Sequence, residues 1–124
     1  MPIGKASYAT ESFDPGDILA GNAHVHDEPI VQAAGQNNIR GTVMGKITIG
    51  GQYVKSLAAA EDGSEVPVSI LADDCDSTAA AKNTSHYLSG EFDQNRLTYG
   101  TGHTAATVKA AFGSKPLYLV NVAP

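Results

Sequence analysis

The pattern of apolar and polar positions divides the chain at Pro29. Residues 1–29 hold neither a period of 3.6 nor a period of 2 over any useful length, and Pro2, Gly4, Pro15, Gly16, Gly21 and Pro29 punctuate them, which predicts an extended N-terminal arm. Tyr8, Phe13, Ile18 and Leu19 are spaced along that arm. Side chains of that size gain about 1.5–3 kcal/mol each when removed from water, so a partner is expected to cover them. From residue 30 onward, short apolar alternations are separated by turn residues, and the pattern predicts a β-rich body over residues 30–124.

Within the body, Ile30, Val31 and Ala33 open a first strand that breaks at Gly35–Asn38. Thr42–Ile49 (TVMGKITI) and the following QYVKSLA are joined by Gly50-Gly51, a hairpin signal, because the tight turn needs positive φ values that glycine adopts without steric cost. Val66–Ala72 (VPVSILA) reads as a buried strand in which Pro67, lacking a ladder donor, belongs at an edge or a strand start. Asp73–Asn83 predicts a loop, and Thr84–Phe92 a strand with Gly90 at a bend or bulge. The one expected helix spans Thr104–Phe112, with Thr104 as its cap and Gly113 just past its end. Pro116–Val122 closes the chain as a strand with Leu117, Leu119 and Asn121 on one face. The expected fold is mainly β with one short helix (α+β), a compact β-barrel-like domain behind an extended arm.

Composition narrows the class. A chain of 124 residues supports one core, and with no Trp and only 6% aromatic residues that core is built from small and branched side chains. No apolar run approaches the roughly 18–20 residues that cross a bilayer, and the first residues lack the apolar stretch of a signal peptide, so neither membrane insertion nor export is expected. Cys75 is the sole cysteine and has no partner for an intramolecular disulfide; a cytoplasmic origin is the default expectation. The net charge of −5 is concentrated in the arm, where Glu11, Asp14, Asp17, Asp27 and Glu28 face Lys5 alone. In the body Arg40, Lys46, Lys55, Lys82, Arg96, Lys109 and Lys115 are scattered singly, which speaks against nucleic acid as a partner.

Candidate chemistry is thin. His24 and His26 would share one face of an extended segment, but a metal site needs at least a third ligand. Asp73, Asp74 and Asp76 crowd one loop without the glycine and distal glutamate of a calcium loop. Cys75 sits among those carboxylates, whose field opposes a thiolate. His86 and Ser89 are three apart on a strand and so face opposite ways, which defeats a base and nucleophile pair. Gly100–Thr104 has no phosphate-loop pattern and reads as the turn that admits the helix. Glu91 and Asp93 could pair as carboxylates, yet the nearby Arg96 suggests a surface ion pair. No catalytic residue, metal or cofactor is expected.

The order of segments carries more information than any of these. RGTVMGKITIGGQYVKSL is followed by VPVSILADDCDSTAAAKNTSHYLSGEF, a helix-prone stretch and a terminal apolar strand. Over residues 28–122 this resembles the head decoration proteins of tailed bacteriophages, the lambda protein D family. The resemblance implies a non-enzymatic capsid protein that binds as trimers at three-fold positions of the expanded head and clamps the major capsid protein against the pressure of packaged DNA. It further implies synthesis in the bacterial cytoplasm, a place on the outer surface of the virion, and an arm that contacts the capsid lattice. That assigns capsid binding to Tyr8, Phe13, Pro15, Ile18 and Leu19. On the same reading, deleting residues 1–20 would leave the melting of the body unchanged. A competing class is a small barrel that binds a ligand or carbohydrate, which the absence of Trp platforms disfavours. An enzyme subunit with its site at an oligomer interface is the other.

Overall fold

The computed structural model describes residues 17–21 and 24–122. Eight strands and one helix follow in chain order: β1 (His26–Gln32), β2 (Asn37–Asn38), β3 (Val43–Lys46), β4 (Tyr53–Lys55), β5 (Pro67–Leu71), β6 (Cys75–Asp76), β7 (Lys82–Asp93), α1 (Ala105–Phe112) and β8 (Leu117–Val120). Strands β1, β4, β3, β5 and β7 pair in that order, and β7 returns to β1, so five strands close a barrel; β8 lies parallel to β7 outside the ring. The expected class, mainly β with one short helix, is the observed one.

Local signals set most of these elements. Gly50 and Gly51 take φ values of 95° and 73°, and the turn they make lays β4 antiparallel on β3 with Met44 opposite Lys55. Pro67 opens β5, and the register slips beside it between Met44 and Gly45. The alternation of strand side chains sends Val43 and Ile70 into one apolar cluster and Met44 and Leu71 into another. The first cluster also takes Phe92, Leu97, Val108, Phe112, Leu117 and Leu119, so the helix and β8 seal one side of the barrel. Helix α1 begins where Thr104 accepts from the Thr107 amide while the Thr107 side chain accepts from the Thr104 amide, and ends at Gly113 with φ 50°.

Three features depart from the expectations. Strand β1 starts at His26, four residues before Ile30, because its exposed first half is held to β7 by backbone pairing rather than by apolar alternation. The segment expected as a loop contains β6, which pairs antiparallel with β2. A buried polar network joins that small sheet to the barrel: Gln32 is fully buried, and its Nε2 donates to the Cys75 carbonyl and to Ser77 Oγ, both at 2.9 Å, while Asn38 Nδ2 donates to Gln32 Oε1 at 3.1 Å. Lastly, residues before 30 also pack on the body. Ile18 is 7% exposed inside the main apolar cluster, and Leu19 packs against it.

Candidate functional site

The root of the arm is a built feature. Gly90, with φ 140°, bends β7 so that its two halves take different neighbours. Its first half pairs with β1; past the bend, Asp93 N donates to the Ile18 carbonyl at 2.7 Å and Ala20 N to the Glu91 carbonyl at 2.9 Å. Leu19 thereby stands opposite Phe92 in an antiparallel bridge, on the edge that β1 occupies further back, while β8 holds the other edge with Leu119 opposite Phe92. The Ile18 side chain passes under Gly41, where an added Cβ would lie 3.0 Å from Ile18 Cγ2.

One residue upstream, Asp17 is fastened to the 39–42 turn. Its Oδ1 accepts from the Ile18 amide at 2.7 Å and from Arg40 Nη1 at 2.5 Å. Arg40 Nη2 donates to Tyr87 Oη at 3.1 Å, the guanidinium lies 5.9 Å from the Tyr87 ring centre, and the Arg40 amide donates to Asp74 Oδ1 at 2.8 Å. Partial burial works against the ionised Asp17 carboxyl, but the hydrogen bonds from Arg40 and the Ile18 amide outweigh it and hold its pKa below the ordinary aspartate value.

The C-terminal segment reaches the same end of the barrel. Gln94 N donates to the Val120 carbonyl at 2.9 Å, and Asn95 Nδ2 donates to Asn121 Oδ1 at 2.7 Å. The arm root and the segment after β8 thus flank the end of β7 and its 94–96 turn. Exposed apolar side chains stand nearby: Tyr118, 54% exposed, is opposite Glu91 in register, and Ile39, 57% exposed, precedes Arg40.

Of the arm residues expected to touch the capsid, Ile18 and Leu19 are placed against the protein's own core, while Tyr8, Phe13 and Pro15 lie outside the described residues. The candidate chemical groups have local partners. His26 Nε2 lies 3.2 Å from Glu28 Oε2 at the surface, and no group of three or more metal-ligating side chains forms among the described residues. Asp73 accepts from Ser85 Oγ, Asp74 from the Arg40 amide, and Asp76 from the amide and hydroxyl of Thr78. His86 is buried with Nδ1 2.7 Å from Ser69 Oγ, a partner on β5 rather than Ser89. Arg96 Nε lies 3.8 Å from Asp93 Oδ2, whereas Glu91 stands over Gly21. One cluster was invisible in the sequence: His103 Nε2 lies 3.3 Å from Ser56 Oγ and 2.9 Å from the Glu65 carbonyl. Ser56 is fully buried and donates to the Ser64 carbonyl at 2.7 Å, so the cluster ties loops together and presents no accessible nucleophile.

Among the described residues, the structure is a small closed barrel whose arm root and C-terminal segment flank the end of β7 and whose candidate chemical groups have local partners. The chain matches the family model for bacteriophage lambda head decoration protein D over residues 8–115 and belongs to that family. A search of curated proteins found no match. The family is one of structural phage proteins, which associates this chain with the capsid of the virion.

Proposed function

We propose that the protein is a cementing protein without enzymatic activity. It binds as trimers at three-fold positions on the outer surface of the expanded head, where it bridges neighbouring copies of the major capsid protein and stabilises the shell against the pressure of packaged DNA. It is made in the cytoplasm of the bacterial host and needs no cofactor, nucleic acid or membrane. The family match over 8–115 carries this reading, because it takes in part of the arm as well as the barrel.

In this scheme the arm is directed at the capsid and the barrel faces outward. With Ile18 and Leu19 engaged in the body, capsid contacts of the arm fall to Tyr8, Phe13 and Pro15. Apolar anchors outweigh the arm's acidic residues in this scheme, since exposed ion pairs contribute about 0–1 kcal/mol each, and binding depends little on salt.

The test is electron cryomicroscopy of expanded, undecorated heads incubated with the purified full chain. Density for three copies around each three-fold position is expected, together with increased resistance of the heads to heat. Unoccupied heads, or single copies on two-fold axes, would refute the reading.

A further inference from the structure

We propose that Asp17, Arg40 and Tyr87 form a clamp that fixes the line along which the arm leaves the barrel and thereby sets how tightly the arm engages the capsid. The inference rests on the reading that the arm binds there. Strand β7 ends at Asp93, and the next two amides are already taken: Gln94 N donates to Val120 and Asn95 N to Asp93 Oδ1. The part of the β7 ladder that Ile18 and Ala20 use thus reaches its end at Asp93, and at residue 17 the chain is held by a side chain.

That side chain is doubly held. Asp17 Oδ1 accepts from the amide that follows it in the chain and from Arg40, which lies 23 residues away. Arg40 is fixed in turn by Tyr87 Oη, by the Tyr87 ring and by the hydrogen bond from its own amide to Asp74. Its planar fork engages two partners at once, a geometry lysine does not reproduce. The ion pair is only a quarter to a third exposed, so screening by water weakens it less than a fully solvated pair. Among the described residues, the Arg40 side chain takes no part in either apolar cluster, and its hydrogen bonds go to Asp17 and Tyr87. An exit direction fixed before binding lowers the entropy lost when the arm is ordered on its target.

The experiment compares the full chain with Asp17→Asn, Arg40→Gln, Tyr87→Phe and the swapped pair Asp17→Arg with Arg40→Asp. Asp17→Asn keeps Oδ1, the oxygen that accepts from both Ile18 and Arg40, but removes the charge and turns the second oxygen into an amide NH2. Three quantities are read: affinity for expanded heads, amide exchange at Ala20, and the melting of the body. For Asp17→Asn and Arg40→Gln, affinity is expected to fall about tenfold and exchange at Ala20 to rise about tenfold, as the ion pair between Asp17 and Arg40 is lost. Melting should fall by no more than a few degrees, the shift that a tenfold change in one local equilibrium amounts to in a domain of this size, because the core is untouched. Tyr87→Phe should show a smaller loss in the same direction, and the swapped pair should recover part of the affinity. Wild-type affinity in Asp17→Asn and Arg40→Gln overturns the clamp, as does a fall in melting temperature well beyond those few degrees. A chain lacking residues 1–16 separates the two readings. If it decorates heads as tightly as the full chain, the arm is not the binding element; if it fails while Asp17→Asn binds normally, only the clamp is wrong.

Discussion

His86 lies in the interior of the barrel. It is buried, its ring meets Tyr53 edge-on with centroids 5.0 Å apart, and its Nδ1 lies beside Ser69 Oγ. Burial pushes its pKa below the ordinary 6.5; Glu28 acts to raise it and Lys46 to lower it further. The unfolded chain takes up a proton near pH 6.5 while the folded chain does not. Stability from His86 is thus complete above pH 6.5 and declines as the pH falls below it. The carboxyls of Asp17, Asp62 and Asp76, all lowered from 3.8, contribute losses only in more acid solution, so the decline that begins at pH 6.5 is due to His86. Melting measured from pH 8 to pH 4 should fall below pH 6.5 in the wild type, and His86→Gln should flatten that part of the curve. Two glycines give a second contrast at this scale. A Cβ on Gly45 would sit 2.0 Å from the Ser64 carbonyl oxygen, a clash with backbone, whereas Gly50 has nothing within 4 Å and only its positive φ to lose. Gly45→Ala should cost about 3 kcal/mol or more and Gly50→Ala only about 1–2 kcal/mol in chemical denaturation. Equal effects would contradict the packing.

At the scale of elements, α1 shows what sequence can reveal. Thr104, the reciprocal bond with Thr107 and Gly113 are local signals, all present in the text of the chain, and the expected helix matches the observed one to a residue. Only Val108 and Phe112 bury their side chains, so the cap carries a large share of the helix's stability. Thr104→Ala should destabilise the protein by about 1 kcal/mol and lower the melting temperature by a few degrees, checked by calorimetry. The β3–β4 hairpin was legible for the same reason, since Gly50-Gly51 is local. Pairings between distant segments were not. Nothing in His26–Pro29 announces a strand, because its side chains face water and its hydrogen bonds go to β7, more than fifty residues away in sequence. The parallel pairing of β8 with β7 and the capture of Ile18 by the Phe92 cluster are equally non-local. The clamp was hidden too, since Asp17, Arg40 and Tyr87 are single polar residues in three separate segments.

For the whole molecule, the consequence is that arm and body share residues, and the border between them can be located by truncation. A chain starting at residue 17 keeps Asp17 on Arg40, Ile18 in the core, and both backbone bonds to β7. Its melting temperature should equal that of the full chain. A chain starting at residue 21 loses a buried isoleucine side chain, the bonds from Ala20 N to Glu91 and from Asp93 N to Ile18, and the partner of Arg40. Removing a buried side chain of this size costs about 2–5 kcal/mol, and the stripped edge of β7 exposes Phe92 to water in addition. Net stability of a domain this small is about 5–15 kcal/mol, so the shorter chain should melt well below the longer one, contrary to the expectation that residues 1–20 are dispensable for folding. Differential scanning calorimetry of the two truncations beside the full chain decides it. Equal melting of all three would mean that Ile18 adds nothing to the core that surrounds it.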